Sequence, residues 1–307
     1  MMTLAQLRTF NAVARLNSFS RAAEELHLTQ PAVSAQVAAL EATLKVKLFD
    51  RIGKKFALSG PGHAVRKAAG DILGRVAEMQ RELQDLAELA GGNLAIGASQ
   101  VVGVYLLPEL LSGFRQEFPA IDLSVRIESA RQVVDLLVRN ELDVGIIGEG
   151  APITDDRVAV KPIMRDELIV IVPSNHAFAQ MKSIRPASLT QMPFLLPRRD
   201  SALSESMLEQ LAREGITLHS VLELGNVGAV KRAVEAGLGI AIVSRCAVLH
   251  ELEDGRLKSV PVDGMKLERQ ISLCWHHDRP FSRPTAAFIQ YVTARMQGSA
   301  LAQPAAA

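Results

Sequence analysis

Apolar residues recur at helical spacing through Leu4, Leu7, Phe10, Val13 and Ala14, which predicts a short amphipathic helix at the start of the chain. Asn17-Ser18 breaks the pattern, and Ser20, a good N-cap type, opens a second stretch through Ala22, Ala23 and Leu26. A third helix follows Thr29-Gln30-Pro31. Either Thr29 or Gln30 can cap it, and Pro31 sits in a first turn that needs no N–H from it. Val33, Val37, Leu40 and Leu44 form its buried stripe, so Gln30, Pro31, Ser34, Ala35 and Ala38 fall on the outward side. Leu48–Arg51 then reads as a strand, Ile52–Lys55 as a turn and Phe56–Leu58 as the return strand, a basic hairpin beside three helices.

Ser59 can cap the next pattern, which is much longer. Val65, Ala69, Ile72, Val76, Met79, Leu83, Leu86 and Ala90 alternate spacings of four and three for nearly four heptads. The seam is narrow, and Arg75, Glu78, Arg81, Glu82 and Asp85 flank it, so pairing with a helix of a second chain is favoured over packing on its own domain. Gly91-Gly92 ends the helix and marks a domain boundary. Beyond it, apolar strand-like runs (Leu94–Ala98, Leu123–Ile127, Val144–Ile147, Leu168–Val172, Gly239–Val243, Ile271–Trp275) alternate with helical ones (Leu106–Glu117, Gln132–Asn140, Ser204–Glu214, Val227–Ala236). That alternation predicts βαβ crossovers in an α/β body. The Ala-rich end, 301–307, reads as a disordered tail.

Composition adds little until it is divided. With 307 residues, 48% hydrophobic and 22% charged, the chain is an ordinary globular protein of about two domains. The net charge of +1 hides an asymmetry: Met1–Lys67 holds ten Lys and Arg against four acidic residues, which leaves the remainder acidic by five. A basic head on an acidic body suits a polyanion partner. Two cysteines, Cys246 and Cys274, make no disulfide framework or zinc knuckle and fit a reducing cytosol, while any redox role for them stays open. No signal-peptide pattern opens the chain and no apolar run reaches the roughly 18 residues of a membrane span, so a cytoplasmic protein away from membranes is expected.

Two small helices, a third with a polar outward face and a basic hairpin together suit DNA. The third helix can enter the major groove, with Gln30 reading adenine and Ser34 either base partner, while Ser18, Ser20 and Thr29 meet phosphate oxygens. Arg51, Lys54 and Lys55 would flank the groove on the backbone. Spacing alone leaves a three-helix packing module with solvated charges equally open. Enzyme signatures are missing: there is no G-x-S-x-G, Walker A loop or H-E-x-x-H, and Gly237-Leu-Gly239 precedes its strand instead of following one. Cys274-Trp-His-His277 alternates across a strand, which suits a buried thiol and an exposed histidine better than a metal. No cofactor is expected.

Leu4–Phe10, Ser18–Ala23, the run Leu28-Thr-Gln-Pro-Ala-Val-Ser-Ala-Gln-Val-Ala-Ala-Leu-Glu41 and Leu48-Phe-Asp-Arg51 together resemble the winged helix-turn-helix of LysR-type transcriptional regulators. The likeness continues through Leu107-Pro-Glu-Leu, Phe118-Pro119, Glu141-Leu-Asp-Val-Gly145, Ala236–Ile242 and Ala287-Phe-Ile, nearly the whole chain. It implies an α+β multidomain protein: a winged helix-turn-helix over 1–60, a long linker helix over 61–90, and over 91–300 a two-lobed α/β effector domain of the type 2 periplasmic-binding-protein kind. Its lobes would span about 91–163 with 267–300, and about 164–266. Dimers through Val65, Ile72, Val76, Met79, Leu83 and Leu86, tetramers built from them, an interrupted palindromic operator, RNA polymerase and a small effector are the partners it implies. Ala35 and Ala38 depart from the basic residues common there, which shifts readout to Gln30, Ser34, Gln36 and DNA shape.

Three turns of the body, Ser99-Gln100, Ser129-Ala130-Arg131 and Asn226-Val227, read as helix N-termini, which favour anions. The resemblance puts them on the cleft between lobes, and Ser99, Gln100, Ser129, Ala130, Glu149, Arg198, Asn226 and Val227 are the candidate effector contacts, although for Arg198, beside Arg199, a solvated loop pair is the favoured reading over a cation for the ligand. A small anion, a carboxylate or an inorganic oxyanion, is the expected ligand. A solute-binding protein, or an enzyme with an accessory DNA-binding head, is the competing reading.

Overall fold

The computed structural model describes residues 2–52, 55–87, 91–150, 153–218 and 221–297. The chain divides into two compact units, one made chiefly of residues up to Leu86 and the other chiefly of residues from Ala87 onward.

In the first unit, α1 (Leu4–Leu16), α2 (Phe19–Glu25) and α3 (Gln30–Leu44) precede an antiparallel hairpin of β1 (Phe49–Ile52) and β2 (Lys55–Leu58), and α4 (Gly60–Ala87) follows. Thr3 and Gln6 form a reciprocal capping box at the start of α1, and Asn17 ends it in the left-handed region. That left-handed turn makes Ser18 the first extended residue. Ser18, not Ser20, therefore caps α2, its side chain accepting from the Arg21 N–H at 3.2 Å. The hairpin strands also reach further than expected, because Ile52 and Lys55 pair across them as Phe49 does with Leu58.

Four phenylalanines tie the hairpin to the helices. Phe49 meets Phe10, Phe19 and Phe56 at centroid separations of 5.4–5.7 Å, and Phe19 meets Phe56 at 4.9 Å. Ser59 then anchors α4: its hydroxyl donates to the Lys47 carbonyl at 2.6 Å and accepts from the Gly62 N–H at 3.0 Å. Gly62 is required there, since a Cβ would lie 2.1 Å from the Leu48 carbonyl oxygen.

The second unit is organised by two strands that cross between lobes. β6 (Val158–Pro173) is sixteen residues long, and β11 (Glu268–His276) runs antiparallel to its first part. In the first lobe β3 (Gly92–Ser99) lies parallel between β4 (Ile121–Glu128) and β5 (Val144–Gly148), and β11 joins β5. α5 (Leu107–Glu117) and α10 (Arg283–Gln297) supply Phe114, Phe288 and Val292 to one face of this sheet, and α6 (Ala130–Val138) supplies Val133 and Leu137 to the other. In the second lobe the far half of β6 pairs with β9 (Ala241–Ser244) and β10 (Leu257–Val260), while β7 (Phe194–Leu196) and β8 (Val221–Glu223) lie parallel. α7 (Ala202–Arg213), α8 (Val227–Glu235) and the short α9 (Leu249–Glu253) complete that lobe. Its core holds Ile171, Leu195, Met207, Val230 and Ile242.

Candidate functional site

On α3 the outward face is the one the periodicity predicts. Val33, Val37 and Leu40 are buried, whereas Gln30, Pro31, Ser34, Ala35 and Ala38 are exposed. Thr29 caps the helix, its hydroxyl oxygen accepting from the Ala32 N–H, and the Ser20 hydroxyl lies 3.4 Å from the Gln30 carboxamide oxygen. The oxygens of Ser18 and Thr29 thus serve helix ends, while their hydroxyl protons remain available to an acceptor such as phosphate. Gln36 departs from expectation. It is half-buried, and its carboxamide oxygen accepts from the Thr9 hydroxyl of α1, so it points into the bundle. Arg51 and Lys55 stand on the hairpin strands, and Lys54 lies outside the described residues.

The seam of α4 splits into two parts. Val65 and Ala69 pack into the core of their own unit with Leu7, Phe10, Leu40 and Leu48, which removes Val65 from the expected pairing surface. Ile72 and Met79 are 39% and 52% exposed, and Val76 is half-buried. For Leu83 and Leu86 only the helical backbone is described.

Between the lobes of the second unit lies a cavity of about 600 Å³ lined by Ser99, Gln100, Ser129, Ala130, Arg198, Asn226 and Val227 among others. Three turns distant in sequence thus line one cavity. Ser129 and Gln132 form a capping box on α6, with the Ser129 hydroxyl donating to Gln132 Oε1 at 2.7 Å. Asn226 caps α8, its Oδ1 accepting from the Ala229 N–H at 2.9 Å. These caps take the third N–H of each helix and leave the first two without an intrahelical acceptor. Ser99 is buried, and its oxygen accepts from the Gly148 N–H at 3.0 Å. The hydroxyls expected to face a ligand are therefore partly spent on the fold.

Glu149 belongs elsewhere. It accepts a hydrogen bond from the Ser272 hydroxyl and lines an adjoining cavity of about 340 Å³, which shares Ser129, Ala130 and Arg131 with the larger one.

Comparison with known proteins agrees with both units. Residues 4–63 match the model of the bacterial regulatory helix-turn-helix protein, lysR family, and residues 87–297 match that of the LysR substrate binding domain. The chain belongs to the LysR family. It is a LysR-type transcriptional regulator with a DNA-binding head and an effector domain, and its relatives are regulators, not enzymes. Proteins named as probable RuBisCO transcriptional regulators from Cyanophora paradoxa and Cyanidioschyzon merolae are 34% and 36% identical to it, each over 94% of this chain and over 91% and 96% of their own. A full-length OxyR variant from Pseudomonas aeruginosa shares its fold with a TM-score of 0.67 at 25% identity, over 98% of this chain and 97% of that one. CbnR, a LysR family transcriptional regulator, gives 0.67 at 21%, over 99% and 100%.

In the regulator's larger cavity most cations already have carboxylate partners. Arg198 is exposed and donates to Asp200 at 2.9 and 2.6 Å, which holds the Asp200 carboxyl below its usual range and raises the guanidinium. Arg131, on the first lobe, pairs with Glu205 on the second. Arg269, which sequence reading did not single out, also lines the cavity. It stands on β11 directly opposite Asp166 of β6 and is 5% exposed.

Neither cysteine is poised to react. Burial pushes the Cys274 thiol up to about 12, and burial with the nearby Asp166 charge pushes Cys246 up to about 11. Cys274 is buried within β11, and His277 is exposed one residue beyond the end of that strand. Among the described residues no helix is long and apolar enough to cross a membrane, and no His, Cys, Asp and Glu cluster suits a metal.

Proposed function

We propose that this regulator acts in the cytoplasm as a dimer, or a tetramer of two dimers, that reads an interrupted palindrome and answers to a small anion bound between the lobes of its effector domain. Gln30, Ser34 and Pro31 meet base edges, Ser18, Ser20, Thr29, Arg51, Lys54 and Lys55 meet phosphates, and Ile72, Val76, Met79, Leu83 and Leu86 pair α4 with its copy. The head spans 1–60, the linker helix 61–90 and the effector domain 91–300. Anion binding shifts the assembly between DNA-bending states that recruit or withhold RNA polymerase. The names of its relatives make the genes of RuBisCO the first targets to examine.

The observation that carries the effector reading is the cavity of about 600 Å³ on which Ser99-Gln100, Ser129-Ala130 and Asn226-Val227 converge. Two helix starts with N–H groups left over by their caps stabilise an anion without a buried counter-charge. A melting screen of the full chain against carboxylates, phosphates, neutral sugars and amines tests it. An anion at a hundredfold excess over its Kd should add about 2.7 kcal/mol of stability and change operator affinity. Shifts from neutral or cationic compounds alone would overturn the reading. For the head, Gln30→Ala should weaken the operator complex with the fold intact, and unchanged affinity would remove Gln30 from the interface.

A further inference from the structure

Among the described residues that line the larger cavity, Arg269 is the one with a buried side-chain donor that finds no acceptor. Its Nε donates to Asp166 Oδ2 at 2.8 Å. Asp166 is 3% exposed and also accepts from the Ser244 hydroxyl, so the carboxylate is fixed from two sides. The guanidinium lies flat against Gly148, where a Cβ would approach Cζ and Nη1 to 2.8 Å. Held this way it has little freedom to seek other partners. Nη2 is buried and makes no hydrogen bond.

A buried donor of a charged group without an acceptor is costly, and folded proteins seldom keep one without a use for it. Around the same cavity, Arg198 is taken by Asp200 and Arg131 by Glu205. The N-termini of α6 and α8 line it with Arg269 and bring their first N–H groups. We infer that Arg269 anchors the effector, its Nη2 donating to an oxygen of a carboxylate or phosphate group that the α6 and α8 N-termini hold from either lobe. The inference rests on the anion reading of this cavity and says which residue grips the anion. Because Asp166 already balances the guanidinium charge, recognition comes from directed N–H groups and not from net charge, which favours a small organic acid or phosphate ester over a highly charged polyanion.

The position also lies where the two lobes are joined. Arg269 and Asp166 face each other on the two strands that cross between lobes, and the β6–β11 register shifts at Ile271/Ser272, two residues beyond Arg269. An oxyanion gripped there touches the crossing strands and a helix from each lobe.

The test uses the full chain, with inorganic phosphate and malonate as probes, each titrated against chloride at matched ionic strength and read as a melting shift. The parent should respond to at least one of them, phosphate alone indicating a phosphate-bearing effector and malonate alone a carboxylate. Arg269→Lys keeps the charge and loses the second amino group, so it should weaken the response at least tenfold in Kd. The double variant Asp166→Asn with Arg269→Gln removes both buried charges together and should abolish the response, with its melting in chloride close to the parent's. Ala130→Glu, which sets a carboxylate at the α6 N-terminus, should abolish it independently of Arg269. If Ala130→Glu is silent to the probes while both Arg269 variants bind like the parent, the cavity binds anions and the Arg269 anchor is wrong. If the parent ignores both probes, or all variants respond as it does, the anion reading falls and the anchor with it. Should the double variant not fold, Arg269→Lys decides alone, and an unchanged Kd overturns the proposal.

Discussion

On α3 the exposed residues Gln30, Ser34, Ala35 and Ala38 carry no charge, whereas around the larger cavity Arg131, Arg198 and Arg269 each meet a carboxylate. Small neutral side chains let a helix approach a partner closely without stripping water from a charge. A cavity lined by cations has the opposite need, because unpaired charges in a partly enclosed space are costly until something arrives to balance them. The cores differ in the same sense. The first unit is held by contacts among four nearby phenylalanines, and the second by strands paired across a hundred residues, such as Asp166 with Arg269. A single deletion should therefore hurt the first unit most.

Phe10 tests that difference with the largest expected effect. It is fully buried and its ring sits 5.5 Å from Phe49. Phe10→Ala should cost about 3–5 kcal/mol, a large share of the stability of so small a unit. Calorimetry on the full chain should show an early transition for the head and an unchanged one for the effector domain, with operator binding lost. A single transition that moves as a whole would show that the two units fold together and would remove the contrast.

The same contrast governs what the sequence makes legible. α1, α3 and the seam of α4 follow a 3.6-residue or heptad period set by local burial, so their faces can be read from the spacing of Val33, Val37 and Leu40 alone. The convergence of Ser99, Ser129 and Asn226 came from the family resemblance, since helix starts by themselves do not say that they share a cavity. Arg269 was out of reach for another reason. Asp166 and Arg269 each stand shortly before an apolar strand run, opposite charges at corresponding places, but the pairing that joins them is 103 residues long and has no local signature. Val65 and Gln36 were misplaced because one helix face can serve two neighbours, and the spacing does not say which.

Glu41 offers a middle-sized effect in the head. Its carboxylate accepts from the Leu48 N–H at 2.8 Å and from Lys47 Nζ at 2.7 Å, which pins the end of α3 to the start of β1. Burial pushes its pKa up, but the Lys47 and Leu48 hydrogen bonds outweigh it and hold the carboxyl below its ordinary value. A depressed folded-state pKa adds stability above the ordinary glutamate value, and that stability is lost as pH falls through the folded value. Glu41→Gln should cost the head about 1–2 kcal/mol at pH 7, and the difference from the parent should vanish below the folded pKa. A gap that persists in acid would mean the glutamine disturbs packing and not charge.

Arg131 and Glu205 set the lower bound. The pair joins α6 on one lobe to α7 on the other and looks like a clasp over the cavity, yet Arg131 keeps 70% of its side chain in solvent and Glu205 25%. Pairs this exposed gain little, because water screens them and long side chains lose freedom in holding one geometry. The lobes are instead joined by β6 and β11, whose backbone hydrogen bonds do not depend on Arg131. Glu205→Gln should therefore change the effector domain's stability by less than about 1 kcal/mol, with the head unaffected, when melts of the full chain are compared at low and at high salt. A larger loss, confined to low salt, would mean that the clasp holds the lobes together. The cleft's ion pairs would then bear as much on the second unit as the phenylalanines do on the first.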